Sequence, residues 1–129
     1  MPLPTKGGAR GGTVRSEDGV IDLPLGKPGS KTNPKANPET LFAAGYAACF
    51  SSALNSIASL EGLDTSEATV TADVSLGKTE SGFGLAVALT ANIPGVDAAK
   101  AQELVEKADQ VCPYSKATRG NITVTVAVG

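Results

Sequence analysis

The 129-residue sequence predicts an α+β fold in which mainly antiparallel sheets surround one long buried central helix. Three observations carry that reading. Turn signals at Asp18-Gly19 and Glu80-Ser81-Gly82 each join two alternating stretches, which is hairpin punctuation. Between Glu39 and Glu61 there is no charged side chain, and small and apolar residues occupy every face, as in a helix covered all round. No series of strand-helix-strand units appears, so a doubly wound sheet fits less well. By size the whole chain, 1–129, reads as one domain.

Taken in order, residues 1–12 are rich in Pro and Gly and read as a flexible arm carrying Arg10. Strands Thr13 to Glu17 and Val20 to Leu23 flank Asp18-Gly19, and a Gly/Pro/Lys/Asn loop runs from Gly26 to Ala36. The central helix opens with Asn37 as cap, Pro38 in the first turn and Glu39 at the positive dipole end, and Gly62 is its natural stop. At about 1.5 Å per residue it spans roughly 36 Å. A membrane span has this length, but Thr40, Ser51, Ser52, Asn55, Ser56 and Ser59 dilute the apolarity and no Lys or Arg flanks either end closely. A second copy of the chain is the expected cover, since Ala43, Ala44, Gly45, Ala47 and Ala48 permit close backbone approach.

Ala68 to Lys78 and Phe83 to Ile93 alternate as strands. Asp97 caps a second helix whose Ala101, Leu104, Val105, Ala108 and Val111 recur at helical spacing. Cys112 to Gly120 reads as a breaker-rich link in which Cys112 either ends the second helix or caps a short helix begun by Pro113, and Asn121 to Val128 alternates as a last strand. The expected order is ββ-α-ββ-α-β.

Composition excludes several function classes. A net charge of −2 without a basic stripe, five aromatic residues and no Trp leave no footprint for nucleic acid. The absence of His removes Ser-His-Asp and Cys-His catalysis and His-ligated metal sites. No apolar leader is visible, so the expected address is cytoplasmic, with no membrane association.

Chemistry then falls to Cys49, in the middle of the central helix, and Cys112, at the end of the second. Two buried, inert thiols are one reading. A structural disulfide conflicts with the expected compartment, and two Cys without His cannot complete a metal shell. The other reading is redox chemistry through a sulfenic acid and a disulfide. Burial alone raises a thiol's pKa, so a reactive Cys49 needs a cation brought to it. The three arginines are Arg10, Arg15 and Arg119, and Glu39 is a carboxylate fit to hold a guanidinium fork. Glu39 and Cys49 are ten residues apart on one helix, roughly 15 Å, so they cannot share a site within one chain.

The segments Asn37-Pro38-Glu39-Thr40-Leu41-Phe42-Ala43-Ala44-Gly45-Tyr46-Ala47-Ala48-Cys49-Phe50 and Val111-Cys112-Pro113-Tyr114-Ser115-Lys116-Ala117-Thr118-Arg119-Gly120-Asn121-Ile122 resemble the two signature blocks of organic hydroperoxide resistance (Ohr) proteins, within the OsmC/Ohr family. With Gly8-Ala9-Arg10 the likeness spans nearly the whole chain. It implies a thiol-dependent peroxidase on an intertwined homodimer with sites at the subunit interface. It further implies Cys49 as peroxidatic, Cys112 as resolving, Arg10 as the holder of the thiolate and Glu39 as the residue orienting Arg10, the last two reaching Cys49 from the partner subunit. The implied substrates are alkyl and lipid hydroperoxides. No bound cofactor is implied, and the reductant is an external dithiol, a dihydrolipoyl group on a lipoyl-bearing protein. Phe42, Tyr46 and Ala53, at i−7, i−3 and i+4 from Cys49, together with Phe50, are the candidate apolar wall for the substrate, and the same residues also suit core packing. The Gly-Ala-Arg-Gly element departs from the family's Gly-Gly-Arg-Asp, and Ser51 and Asp109 stand where His is frequent. Arg15 and Arg119 are the competing cations. Rival readings are a peroxidase of the sister OsmC branch and a non-catalytic dimeric module that senses redox state or binds an apolar ligand.

Overall fold

The computed structural model describes residues 5–7, 12–26 and 36–129. Arg10 and most of the Gly26 to Ala36 loop lie outside them. The chain forms two compact units, the first up to Leu41 and the second from Phe42 to Gly129.

In the first unit, β1 (Thr5–Gly7), β2 (Thr13–Ser16) and β3 (Asp22–Pro24) make an antiparallel sheet in that order. The Asp18-Gly19 turn joins β2 to β3 as the sequence predicts. Gly19 takes φ +77°, and the Asp18 carboxylate accepts from the Val20 N–H at 3.0 Å and the Ser16 hydroxyl at 2.6 Å. Those two donors hold its pKa below the ordinary carboxylate value. The expected flexible arm is corrected at Thr5–Gly7, which pairs with β2. Three residues without apolar alternation carry no strand signal of their own.

Helix α1 (Pro38–Leu60) starts and stops where its caps dictate. Asn37 Oδ1 accepts from the Thr40 N–H at 2.8 Å while Thr40 Oγ1 accepts from the Asn37 N–H at 3.0 Å, a reciprocal capping box with Thr in the usual Glu position. At the other end Gly62 (φ +73°) donates to Ser59 C=O and Leu63 donates to Ala58 C=O, which satisfies two orphan carbonyls.

The second unit holds a sheet in the order β4 (Thr69–Thr79), β5 (Gly82–Asn92), β6 (Thr123–Val128). Its register stacks Val74, Val87 and Val124, then Ala72, Leu89 and Val126, then Val70, Ala91 and Val128, in three apolar rows on one face. Against these rows pack Tyr46, Phe50, Leu54 and Ala58 of α1 and Ala101, Leu104, Val105 and Ala108 of α2 (Ala98–Val111), all buried. Asp97 caps α2 by accepting from the Lys100 N–H at 2.8 Å. Glu61, just beyond α1, pairs with Lys100 and Lys107 of α2, and those ammonium groups hold its carboxyl below the ordinary value.

Two further expectations, on the Cys112 to Gly120 link and on Val111, need correction. The Cys112 to Gly120 link is largely helical: α3 (Pro113–Thr118) follows α2 directly, with Cys112 as cap of both. Strand β6 runs parallel to β5, because the α2–α3 crossover returns the chain to the end of the sheet where β5 began. Val111, expected in the α2 stripe, is 44% exposed. Among the described residues of the second unit, α1 is packed through one side, and Ala44, Ala48, Ser52, Asn55 and Ser59 are exposed along the other. Among the described residues α1 is the one helix long and apolar enough to cross a membrane, and its other side is a core face in protein.

Replacing Asn37 by Ala removes one arm of the capping box. The expected cost is about 1 kcal/mol of unfolding free energy, read as a lower urea midpoint at unchanged slope. An unchanged midpoint would mean that Thr40 alone suffices.

Candidate active site

Two elements meet at the thiols, and both do so through short side chains. Cys49 lies midway along α1, half-buried, and Cys112 sits fully buried between α2 and α3. Their sulfurs are 3.5 Å apart, with the Cys112 thiol donating to the Cys49 sulfur, and no disulfide joins them. The pair is separated by 63 residues in sequence, so the contact is made by the fold. An S–S bond of about 2.05 Å requires the sulfurs to close by roughly 1.5 Å, and 3.5 Å is already a near-attack separation.

The approach rests on Gly45. A Cβ there would lie 2.7 Å from the Tyr114 hydroxyl oxygen and 3.2 Å from the adjacent ring carbon, so the ring of Tyr114 occupies the space that a side chain would take. Tyr114 also stacks on Phe42, with centroids 6.0 Å apart at 22°, and leans on Tyr46 at 5.5 Å. Phe42 meets Tyr46 edge-on at 5.8 Å. The three rings form one cluster a turn or two N-terminal to Cys49 on α1, and Tyr114 is 37% exposed.

Burial is the largest influence on the Cys49 thiol and pushes its pKa above the ordinary value. The Tyr114 backbone N–H opposes that rise, and the neighbouring Cys112 sulfur adds to it. Cys49 is too far from the start of α1 for the helix dipole to help. The described residues supply no cation to it. Arg15 pairs with Asp22 at 3.7 Å on the exposed β2–β3 hairpin. Arg119 donates to the Asp109 carbonyl at 2.7 Å and lies 3.7 Å from its carboxylate. Arg10 lies outside the described residues, and Glu39 is buried in the first turn of α1.

Of the other sequence-predicted wall residues, Phe42 is half-buried in the ring cluster, while Tyr46, Phe50 and Ala53 are buried in the core. Among the described residues no group of three or more Cys, Asp or Glu is gathered as metal ligands would be. Sequence reasoning missed Gly45, Tyr114, Ser115 and Thr118. The available signal was Pro113 at a helix start followed by Ser115 and Thr118 at i, i+3 spacing, which places both hydroxyls on one face of a short helix.

Residues 29–127 match the family model described as OsmC-like protein. The organic hydroperoxide resistance protein OhrA of Bacillus subtilis (strain 168) is 50% identical over 127 residues, covering 94% of this chain and 89% of that one. The crystal structure of the organic hydroperoxide resistance protein OhrB of Bacillus subtilis superposes with a TM-score of 0.93 at 41% identity, covering all of this chain and 98% of that one. An organic hydroperoxide resistance protein from Elizabethkingia anophelis gives 0.91 at 50% identity, covering all of this chain and 96% of that one.

If Gly45 admits Tyr114, then Gly45→Ala must displace the ring and with it the turn that buries Cys112. The expected result is faster labelling of Cys112 by a disulfide reagent such as DTNB in the reduced protein, about tenfold or more for a loss of about 1.4 kcal/mol of local protection. Adding Tyr114→Leu, which lacks the atoms the new methyl meets, should restore slow labelling.

Proposed function

The chain belongs to the OsmC-like family, among relatives named as organic hydroperoxide resistance proteins, and on that premise we infer that it is a thiol peroxidase acting on organic hydroperoxides. The observation that carries this reading is the pair Cys49 and Cys112 at 3.5 Å, one sulfur reachable and the other sealed in the core. The oxidant must reach the attacking sulfur, which favours Cys49 for the first step and Cys112 for the second.

In the first step the Cys49 thiolate attacks one oxygen of the hydroperoxide. The O–O bond breaks, the alkoxide leaves and takes a proton to become the alcohol, and Cys49 becomes a sulfenic acid. In the second step the Cys112 sulfur attacks the sulfenic sulfur, an S–S bond forms, and the hydroxyl departs as water with the proton of Cys112. An external dithiol, of the dihydrolipoyl kind, then exchanges through a mixed disulfide, returning both thiols and leaving as its own disulfide. No bound cofactor takes part.

Burial opposes the Cys49 thiolate, so the first step requires a cation, and Arg10 oriented by Glu39 is the proposed source. Glu39 lies ten residues before Cys49 on one continuous helix, roughly 15 Å away along the axis. The two are therefore proposed to meet across a homodimer, Arg10 and Glu39 of one protomer serving Cys49 of the other. The exposed side of α1, free of charge and lined by Ala44, Ala48, Ser52, Asn55 and Ser59, suits the approach of a second copy. Phe42 and Tyr114 present the apolar surface for the alkyl part of the substrate. The proposed address is cytoplasmic.

The direct test is the intact mass of the reduced chain before and after one equivalent of cumene hydroperoxide. The expected change is the loss of one pair of hydrogens, restored by dihydrolipoamide. Cys49→Ser should abolish it, and Cys112→Ser should permit one oxidation that then stalls or overoxidises; equal loss of the first oxidation in both variants would overturn the assignment.

The cation gives a second, pH-resolved test. Because burial raises the Cys49 pKa and a guanidinium lowers it, removing Arg10 must shift the alkylation profile of Cys49 toward higher pH. At neutral pH the peroxidase kcat/KM of Arg10→Ala is expected to drop on the order of a hundredfold, as when one preorganised charge-stabilising donor is lost. A pH profile coincident with that of the unmodified chain would assign the cation elsewhere.

A further inference from the structure

Tyr46 is fully buried in α1, three residues before Cys49, and Ser115 in α3 is three residues after Cys112. The phenolic oxygen of Tyr46 lies 2.8 Å from Ser115 Oγ and 3.1 Å from Thr118 Oγ1. Two rungs therefore join the same pair of helices with the same offset: sulfur to sulfur at the N-terminal edge of α3, hydroxyl to hydroxyl one turn further along it. The direction of the hydrogen bonds follows from what each oxygen can do. Thr118 Oγ1 lies 3.0 Å from the Tyr114 carbonyl and 3.3 Å from the Ser115 carbonyl, both acceptors only, and with its proton given to either it accepts from Tyr46. With its single proton given to Thr118, Tyr46 must accept from Ser115. The chain Ser115 to Tyr46 to Thr118 to a backbone C=O is fully satisfied, and among the described residues no buried side-chain oxygen or nitrogen is left without a partner.

We propose that the Tyr46 hydroxyl is a positioning group for the thiol pair: through Ser115 and Thr118 it fixes α3 in register on α1 and so holds Cys112 at bonding reach of Cys49. This rests on the reading of the two sulfurs as a redox couple. A buried hydroxyl network has one fully bonded arrangement, and slippage of α3 by a fraction of a turn leaves at least one hydroxyl unpaired. The ring contacts alone do not impose that register, since stacked aromatic surfaces slide at little cost. What the network supplies is preorganisation, which appears as the effective concentration of one thiol at the other.

Tyr46→Phe keeps the ring and removes only the hydroxyl. The measurement is the equilibrium constant of the Cys49–Cys112 disulfide against glutathione redox buffers, which needs no peroxide. The expected effect is a tenfold lower constant, a reduction potential about 30 mV less negative. Ile93→Val, a mild change in the same core away from α3, serves as control: it should lower the thermal midpoint and leave the constant unchanged. Ser115→Ala and Thr118→Val should shift the constant in the same direction, which keeps the test open if Tyr46→Phe does not fold. A constant equal to or above that of the unmodified chain in these variants would overturn the proposal, as would an equal fall in Ile93→Val. An unmodified chain that forms the disulfide in glutathione but ignores cumene hydroperoxide would remove the peroxidase reading while leaving the clamp intact.

Discussion

Where Gly45 lacks a side chain, Tyr114 fills the space, and most of what surrounds the thiols depends on that substitution of one residue's ring for another's Cβ. A helix surface normally stands off its neighbour by the width of the side chains between them, 8–10 Å axis to axis as a rule. At Gly45 that layer is missing, so the ring of a residue on α3 rests on the backbone of α1. Cys112 caps α3 two residues before Tyr114, and Cys49 follows Gly45 by one turn. Close approach at the first pair therefore leaves room for the second pair to lie 3.5 Å apart. The double role of Cys112, ending α2 and opening α3, fixes its backbone from both sides: its N–H donates to Ala108 and its carbonyl accepts from Lys116.

The same closeness creates an electrostatic difficulty. A half-buried sulfur set beside another sulfur is a poor thiolate, and the Tyr114 N–H, which favours the charged form, does not outweigh burial. The chain keeps Cys112 in a place with no exposure and gives Cys49 partial exposure, a division of the kind two successive steps would use. Neither described arginine helps, because Arg119 is tied to Asp109 and Arg15 to Asp22. On the proposed mechanism, an uncharged helix carries its nucleophile only if charge arrives from outside it.

Local chemistry is what the sequence discloses well. Asn37, Gly62 and Asp97 mark helix ends through bonds within five residues of themselves, and Asp18-Gly19 marks its hairpin in the same way. The two long strands showed in alternation, and their register follows from a two-residue turn at Glu80-Ser81. Elements set by distant partners were illegible. Strand β6 has the same pattern whether it pairs parallel or antiparallel, β1 is three residues long, and α3 showed only as one of two alternatives at Pro113, inside a stretch rich in breakers. The nearness of Cys49 to Cys112 belongs to this second class. Periodicity placed each in its helix, and only resemblance joined them. Gly45 was read as one of several small residues permitting a second backbone, whereas its immediate neighbour is a ring of its own chain.

Helix α1 is where these threads meet, because its two sides obey different rules. On one side Tyr46, Phe50, Leu54 and Ala58 repeat at i, i+4 and fill the core of the second unit. On the other, Ala44, Ala48, Ser52, Asn55 and Ser59 run the same length with no side chain larger than Asn and no charge. A face meant for water ordinarily carries Lys and Glu, as α2 does with Lys100, Glu103 and Lys107. The charge that α1 lacks along its flank is gathered at its ends, in Glu39 and, just past the last turn, Glu61. Glu61 is spent on α2, in ion pairs that screen readily. Glu39 is instead buried, and a buried carboxylate is retained only where hydrogen bonds or a cation compensate its desolvation. Among the described residues Glu39 is the buried acid, and it sits in the first turn of α1, ten residues before Cys49.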